Sequence, residues 1–142
     1  MKRRNSAIAL VLLIALGFSS AQGASSATVR TLNENSANKV YAVKVGSHLT
    51  LTLHSMYWSL TSVPKSSGVA QVGGVLSKPI LPGPTAPNGC GLPGMGCGTQ
   101  TWNFVAKKVG TFSIAASRTS CGEALQCTGT QGEYVVRIQV KK

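Results

Sequence analysis

Residues 94–118 read Gly94-Met95-Gly96-Cys97-Gly98-Thr99-Gln100-Thr101-Trp102-Asn103-Phe104-Val105-Ala106-Lys107-Lys108-Val109-Gly110-Thr111-Phe112-Ser113-Ile114-Ala115-Ala116-Ser117-Arg118. A glycine-dense loop runs into an alternating segment, a Gly-Thr turn follows, and a second alternating segment closes the stretch. With a pleat period of two, Thr99, Thr101, Asn103 and Val105 share one face, and Gln100, Trp102, Phe104 and Ala106 share the other. Phe112, Ile114 and Ala116 repeat that period beyond the turn. Two half-buried strands beside a glycine loop point to a β-sandwich whose loops carry the function.

The same period extends in both directions. Val40–Val45 alternates, Gly46-Ser47 turns the chain, and Leu49, Leu51 and Leu53 interleave with Thr50, Thr52 and His54. Ser55-Met56 is all that separates this strand from a third at Tyr57–Val63, with Trp58 and Leu60 on one face. Val69–Leu76 reads as a glycine-weakened strand. Prolines and glycines make Lys78–Gly98 a long irregular loop. Gly132–Val140 is the closing strand, expected to pair with Thr111–Arg118 through the loop Thr119–Gln131. No helical period persists for three turns after the amino-terminal leader. Seven short strands with a tryptophan on the third fit an all-β fold, an immunoglobulin-like antiparallel sandwich. That topology gathers the loops Ser55–Met56, Lys78–Gly98 and Thr119–Gln131 at one end.

The leader itself is an address. Lys2, Arg3 and Arg4 precede an apolar run from Ala7 to Phe18, and Ala21-Gln22-Gly23 offers a cleavage site. The apolar run is too short to span a bilayer comfortably. The expected organisation is a signal peptide at 1–23, a flexible tail at 24–38 and one sandwich domain at 39–142. The chain should be exported to a periplasmic or extracellular space, free of the membrane once the leader is cleaved.

Cys90, Cys97, Cys121 and Cys127 are even in number in an exported chain, so two disulfides are expected. Of the three possible pairings we favour Cys90–Cys97 with Cys121–Cys127, each stapling one loop; crossed pairing between the loops is compatible with the same spacing. A zinc site fits poorly, because the spacings are wide and His48 and His54 lie far off in sequence. A copper site would need a histidine after Cys97, and there is none. No metal and no cofactor are expected.

The formal net charge is +11 over 142 residues, and the chain contains no aspartate. Even without Lys2, Arg3 and Arg4 it is strongly basic. No run of cations exceeds two in the rest of the chain, and aromatic residues do not interleave with them, so a solubilising surface is expected and no nucleic acid partner. Glu34, Glu123 and Glu133 are the only carboxylate side chains. Of these, Glu123 alone falls on one of the three loops, which is too little for paired acid–base catalysis. The protein is not expected to be an enzyme. Trp58, Trp102 and Phe104 read as core, whereas Tyr57, Leu92, Met95 and Leu125 sit where an aromatic or apolar contact with a partner could form.

Several of these segments together resemble the chagasin-type inhibitors of papain-like cysteine peptidases, which are small immunoglobulin-like domains. Val45-Gly46-Ser47-His48-Leu49-Thr50-Leu51 is similar to that family's opening strand. Trp58 matches the tryptophan of its third strand, and Gly96-Cys97-Gly98-Thr99-Gln100-Thr101-Trp102 looks like its Gly-x-Gly-Gly loop running into a strand. Val109-Gly110-Thr111, with Ile114 and Ala116, is similar to its Ala-Gly-Thr turn. The likeness spans about Val43–Val140. It implies a monomeric inhibitor whose three loops enter the peptidase cleft, with Ser55, Met56 and Tyr57, then Gly94, Met95, Gly96 and Gly98, then Gly122, Glu123 and Leu125 as contact residues. It also implies that the glycines let the backbone approach the enzyme. Two loop motifs depart from the family. His54-Ser55-Met56-Tyr57 stands where Asn-Pro-Thr-Thr-Gly is usual, and Thr119-Ser120-Cys121-Gly122 replaces Arg-Pro-Trp after Arg118. The same fold used as a non-inhibitory binding module is the alternative reading.

Overall fold

Alternation along the strands produces the core directly. Leu49, Leu51 and Leu53 are fully buried, and so are Phe104, Ile114, Val136 and Ile138; their sequence neighbours face outward or lie half-buried. The computed structural model describes residues 28–62, 68–87, 89–122 and 125–142. Its strands are β1 (Val29–Leu32), β2 (Val40–Lys44), β3 (His48–His54), β4 (Ser59–Ser62), β5 (Val69–Pro79), β6 (Gly98–Ala106), β7 (Gly110–Ser117) and β8 (Glu133–Lys141). They form two four-stranded sheets, ordered β1-β3-β6-β5 and β2-β8-β7-β4. The sheets stack as an immunoglobulin-like sandwich, with the inward rows of both supplying one core.

Several expectations need correction. Described strands number eight, because residues expected in a flexible tail form β1, followed by a 3-10 turn at Glu34–Ser36. Leu32 is fully buried, and β1 pairs in parallel with β3 from Val29↔His48 to Leu32↔Leu51. Burying that leucine and covering the open edge of β3 offset part of the entropy of ordering four residues. The Asn33 side chain caps the turn by accepting from the Asn35 amide. Strand pairing therefore begins by Val29, inside the stretch expected to be a tail. The sheets are also mixed, not purely antiparallel: β1 with β3 and β2 with β8 are parallel pairs. The expected signal peptide at 1–23 lies outside the described residues.

Two boundaries move. The third strand of the sequence reading begins at Ser59, and Trp58 sits just before it, buried, with Nε1 donating to the His54 carbonyl at 3.2 Å. β5 runs on to Pro79, with a register shift between Val72 and Leu76 where Gly73 takes a φ of +73°. This is a bulge on an edge strand, which bends the edge away from regular pairing. The closing strand pairs with β7 from Gly110↔Val140 to Ser117↔Glu133, as expected.

Polar groups in the interior are few. Tyr134 is buried, and among the described residues its hydroxyl has no hydrogen-bond partner. Burial pushes its phenol above the ordinary tyrosine range.

Candidate functional site

Strand directions decide which loops meet. β3 ends at His54, β6 starts at Gly98, β5 ends at Pro79, β7 ends at Ser117 and β8 starts at Glu133, all at one end of the sandwich. Three loops leave that end: Ser55–Trp58, Ile80–Cys97 and Arg118–Gly132. A cleft of about 230 Å³ is lined by residues of all three, among them Ser55, Ile80, Met95, Arg118 and Cys121.

The short first loop is held to the glycine loop by its backbone. The Ser55 amide donates to the Gly98 carbonyl at 2.9 Å, and the Met56 amide donates to the Gly96 carbonyl at 2.7 Å. Ser55 has a φ of +132°, a conformation costly for a residue with a side chain, of order 1–3 kcal/mol. Its hydroxyl accepts from the Tyr57 amide at 3.2 Å, which locks the turn. From below, buried Gln100 donates through Nε2 to the Met56 carbonyl at 3.0 Å, while its Oε1 accepts from Ser77 at 2.7 Å. Gln100 thus positions the loop without reaching the surface.

Tyr57 occupies the glycine loop. Its ring lies over Gly96, where a Cβ would stand 2.1 Å from a ring carbon, and its hydroxyl donates to the Gly94 carbonyl. A Cβ on Gly98 would meet the Lys78 carbonyl at 2.5 Å and the Met56 sulfur at 2.8 Å. Gly96 and Gly98 therefore make room for this chain's own side chains and backbone, and the close approach implied by the family resemblance is taken up internally there. Gly94 remains exposed at the loop tip.

Both remaining loops are cross-linked within themselves. Cys90–Cys97 and Cys121–Cys127 are the disulfides, with Cα separations of 5.7 and 4.9 Å. Inside the second, the Cys121 amide donates to the Leu125 carbonyl at 2.8 Å and the Cys127 amide to the Thr119 carbonyl at 2.9 Å, so the loop extends the β7–β8 hairpin. Arg118 lays its guanidinium 4.8 Å from the centroid of the Trp58 ring, joining this hairpin to the first loop.

The sequence-derived contact residues divide accordingly. Ser55, Met56, Tyr57, Gly94, Met95, Gly96 and Gly98 come together as one packed unit. Gly122 is buried in the third loop, where its carbonyl accepts from the Ser120 hydroxyl, and Leu125 projects into solvent at 69 % exposure. Glu123 lies outside the described residues. Leu81 and Leu92 add exposed apolar surface on the long loop. Sequence reasoning gave no role to Gln100, Leu81 or Glu34.

Glu34 braces the rim from the side. Its carboxylate accepts from the His54 amide at 2.5 Å and lies 3.1 Å from His54 Nδ1. Partial burial alone would raise its pKa, but the hydrogen bonds from the His54 and Glu34 backbones and the His54 ring outweigh it and hold the carboxyl below its ordinary value. Among the described residues no group of three His, Cys, Asp or Glu side chains could hold a metal ion.

No family model and no curated protein matches this sequence. Solved structures do share its architecture. The cysteine protease inhibitor EhICP2 from Entamoeba histolytica superposes with a TM-score of 0.54 at 9% identity, over 80% of this chain and 96% of that one. The solution structure of amebosin superposes with a TM-score of 0.50 at 15% identity, over 80% of this chain and 98% of that one. At such identities the likeness establishes a common fold.

Proposed function

We propose that the protein is an exported inhibitor of papain-like cysteine peptidases that fills the active-site cleft with its three-loop rim. One observation carries this reading: two disulfide-closed loops and a pinned third converge on one end of a sandwich whose architecture EhICP2, itself a cysteine protease inhibitor, shares. Inhibition by docking needs no reacting group, only a surface that keeps its shape. Each loop here is held by hydrogen bonds, a disulfide or both, so little conformational entropy remains to be lost on binding.

In this reading Gly94 and Met95 form the tip that enters the cleft. Ser55–Tyr57 and the hairpin bearing Gly122, Glu123 and Leu125 flank it. Exposed Leu81, Leu92 and Leu125 provide apolar anchors, as small interfaces require. The domain acts as a monomer and without a cofactor, and it is not an enzyme. The test is inhibition of a panel of papain-like peptidases by the oxidised protein. Competitive loss of activity at or below micromolar concentration is expected, and an unaffected panel would refute the proposal.

The glycine loop favours a second reading. Because Tyr57 and Met56 occupy the space beside Gly96 and Gly98, the rim is broader than a bare glycine tip and suits another protein ligand. Capture of a non-peptidase partner that Tyr57→Ala releases, together with an uninhibited panel, would select it.

A further inference from the structure

The cations look scattered in sequence, yet the strand ends gather many of them at the pole opposite the rim. Lys44 ends β2 and lies beside Lys141 of β8 as a direct parallel partner. The Val45 amide donates to the Lys141 carbonyl and the Gly46 amide to the Ala106 carbonyl, which brings the turn after β2, the carboxyl-terminal end of β8 and the β6–β7 turn together. Arg30, Lys44, Lys107, Lys108, Lys141 and Lys142 therefore share one end of the molecule, all exposed.

Among the described residues the glutamate side chains sit at the other end. Glu34 is bonded to His54, and Glu133 opens β8 opposite Ser117; Glu123 belongs by sequence to the rim loop. β8 runs nine residues from Glu133 to Lys141, roughly 27 Å at the rise of an extended strand. That distance is about three Debye lengths at physiological salt, so rim carboxylates do not neutralise the pole. Placing Lys44 directly beside Lys141 costs stability in the free protein. A bound anion would offset it.

The pole is also concave. Where the edge strands β1 and β2 face each other across the open side of the sandwich, a groove of about 360 Å³ is lined by Arg30, Lys44, Lys141 and Lys142. Thr28 and Ser47 add hydroxyls, and Ala42 and Val43 an apolar floor. Arg30 is held in place by its guanidinium, 4.5 Å from the centroid of the Tyr41 ring. We propose that this groove and the lysines around it bind an anionic polysaccharide bearing sulfate or phosphate groups, anchoring the protein while its rim stays free. A polymer fits better than a single ion, because the cations continue past the groove to Lys107 and Lys108, and successive anionic groups can bridge them. Nucleic acid and bilayer fit less well. Single strands are bound through aromatic stacking platforms, and a flat anionic bilayer meets protruding lysines without entering a groove. Here both tryptophans are buried in the core, and the Tyr41 ring is covered by Arg30. This inference does not depend on what the rim binds.

Heparin serves as the probe, with the disulfide-bonded protein titrated at several salt concentrations. The pole variant Lys44→Gln/Lys141→Gln is compared with a charge-matched control, Lys78→Gln/Arg137→Gln, whose residues are exposed away from the groove. The expected results are salt-dependent binding, a loss of about tenfold or more with a salt slope shallower by about two for the pole variant, and less than about a twofold change for the control. Vesicles of phosphatidylglycerol and phosphatidylcholine, and single-stranded DNA, should bind more weakly than heparin at the same salt. Equal losses in the two double variants would overturn the proposal, as would vesicles or DNA binding as tightly as heparin, or no binding in physiological salt.

Discussion

Replacing Gly98 by alanine should loosen the rim at its base. The glycine has a φ of +140°, which alanine adopts only at a cost of about 1–3 kcal/mol. The new methyl would stand 2.5 Å from the Lys78 carbonyl and 2.8 Å from Pro79 Cα. Both are backbone atoms of β5, whose pairing with β6 ends at Pro79↔Gly98, so relief means opening that end of the sheet. Overpacking of this kind adds about 1–3 kcal/mol. Together the terms give about 2–6 kcal/mol, a fall in melting temperature of about 8–25 °C for a domain of this size. Calorimetry on the oxidised protein reads it directly. The control is Gly74→Ala, where an added Cβ meets nothing within 4 Å and no positive φ is involved; it should stay within about 0.5 kcal/mol of the parent. A Gly98→Ala protein melting together with the Gly74→Ala control would refute the steric reasoning.

Three further outcomes follow from the same geometry. Because the Glu34 carboxyl is held below its ordinary 4.5, the stability it contributes is complete above that value and lost as pH falls through the lower folded one. Glu34→Gln should therefore flatten the dependence of melting temperature on acid below about pH 5, while an unchanged slope would remove Glu34 as a brace. Removing either disulfide as a Cys→Ser pair should cost about 2.5 kcal/mol by chain entropy, measured by urea unfolding; a loss below about 0.5 kcal/mol would mean the loops are closed without it. Tyr134→Phe should leave stability unchanged or raise it by up to about 1 kcal/mol, because the deleted hydroxyl has no described partner, whereas a loss above 1 kcal/mol would reveal one.

Much of the sandwich was legible because period-two alternation reports burial directly. Leu49, Leu51 and Leu53, the Gln100-to-Ala106 face and the closing strand from Tyr134 to Val140 are inward as their spacing requires. The loop cluster followed from strand order, and the favoured disulfides followed from short closure. What stayed hidden was long-range. β1 is four residues with a single buried side chain, and its parallel partner offers no hairpin turn to mark the pairing. The extension of β5 to Pro79 lies on an exposed edge, where burial imposes no pattern. The seating of Tyr57 on Gly96, the support from Gln100 and the gathering of cations at one pole all arise from contacts between segments far apart in the chain. Local spacing carries no trace of them.

The most direct test of rim docking compares two forms of one peptidase. Papain with a free active-site cysteine and papain whose cleft is filled by a covalent, substrate-like blocker are each titrated calorimetrically with the oxidised protein. One-to-one binding to the free enzyme, abolished in the blocked one, is the predicted result. Equal heat with both forms, or none with either, would contradict a rim that fills the cleft.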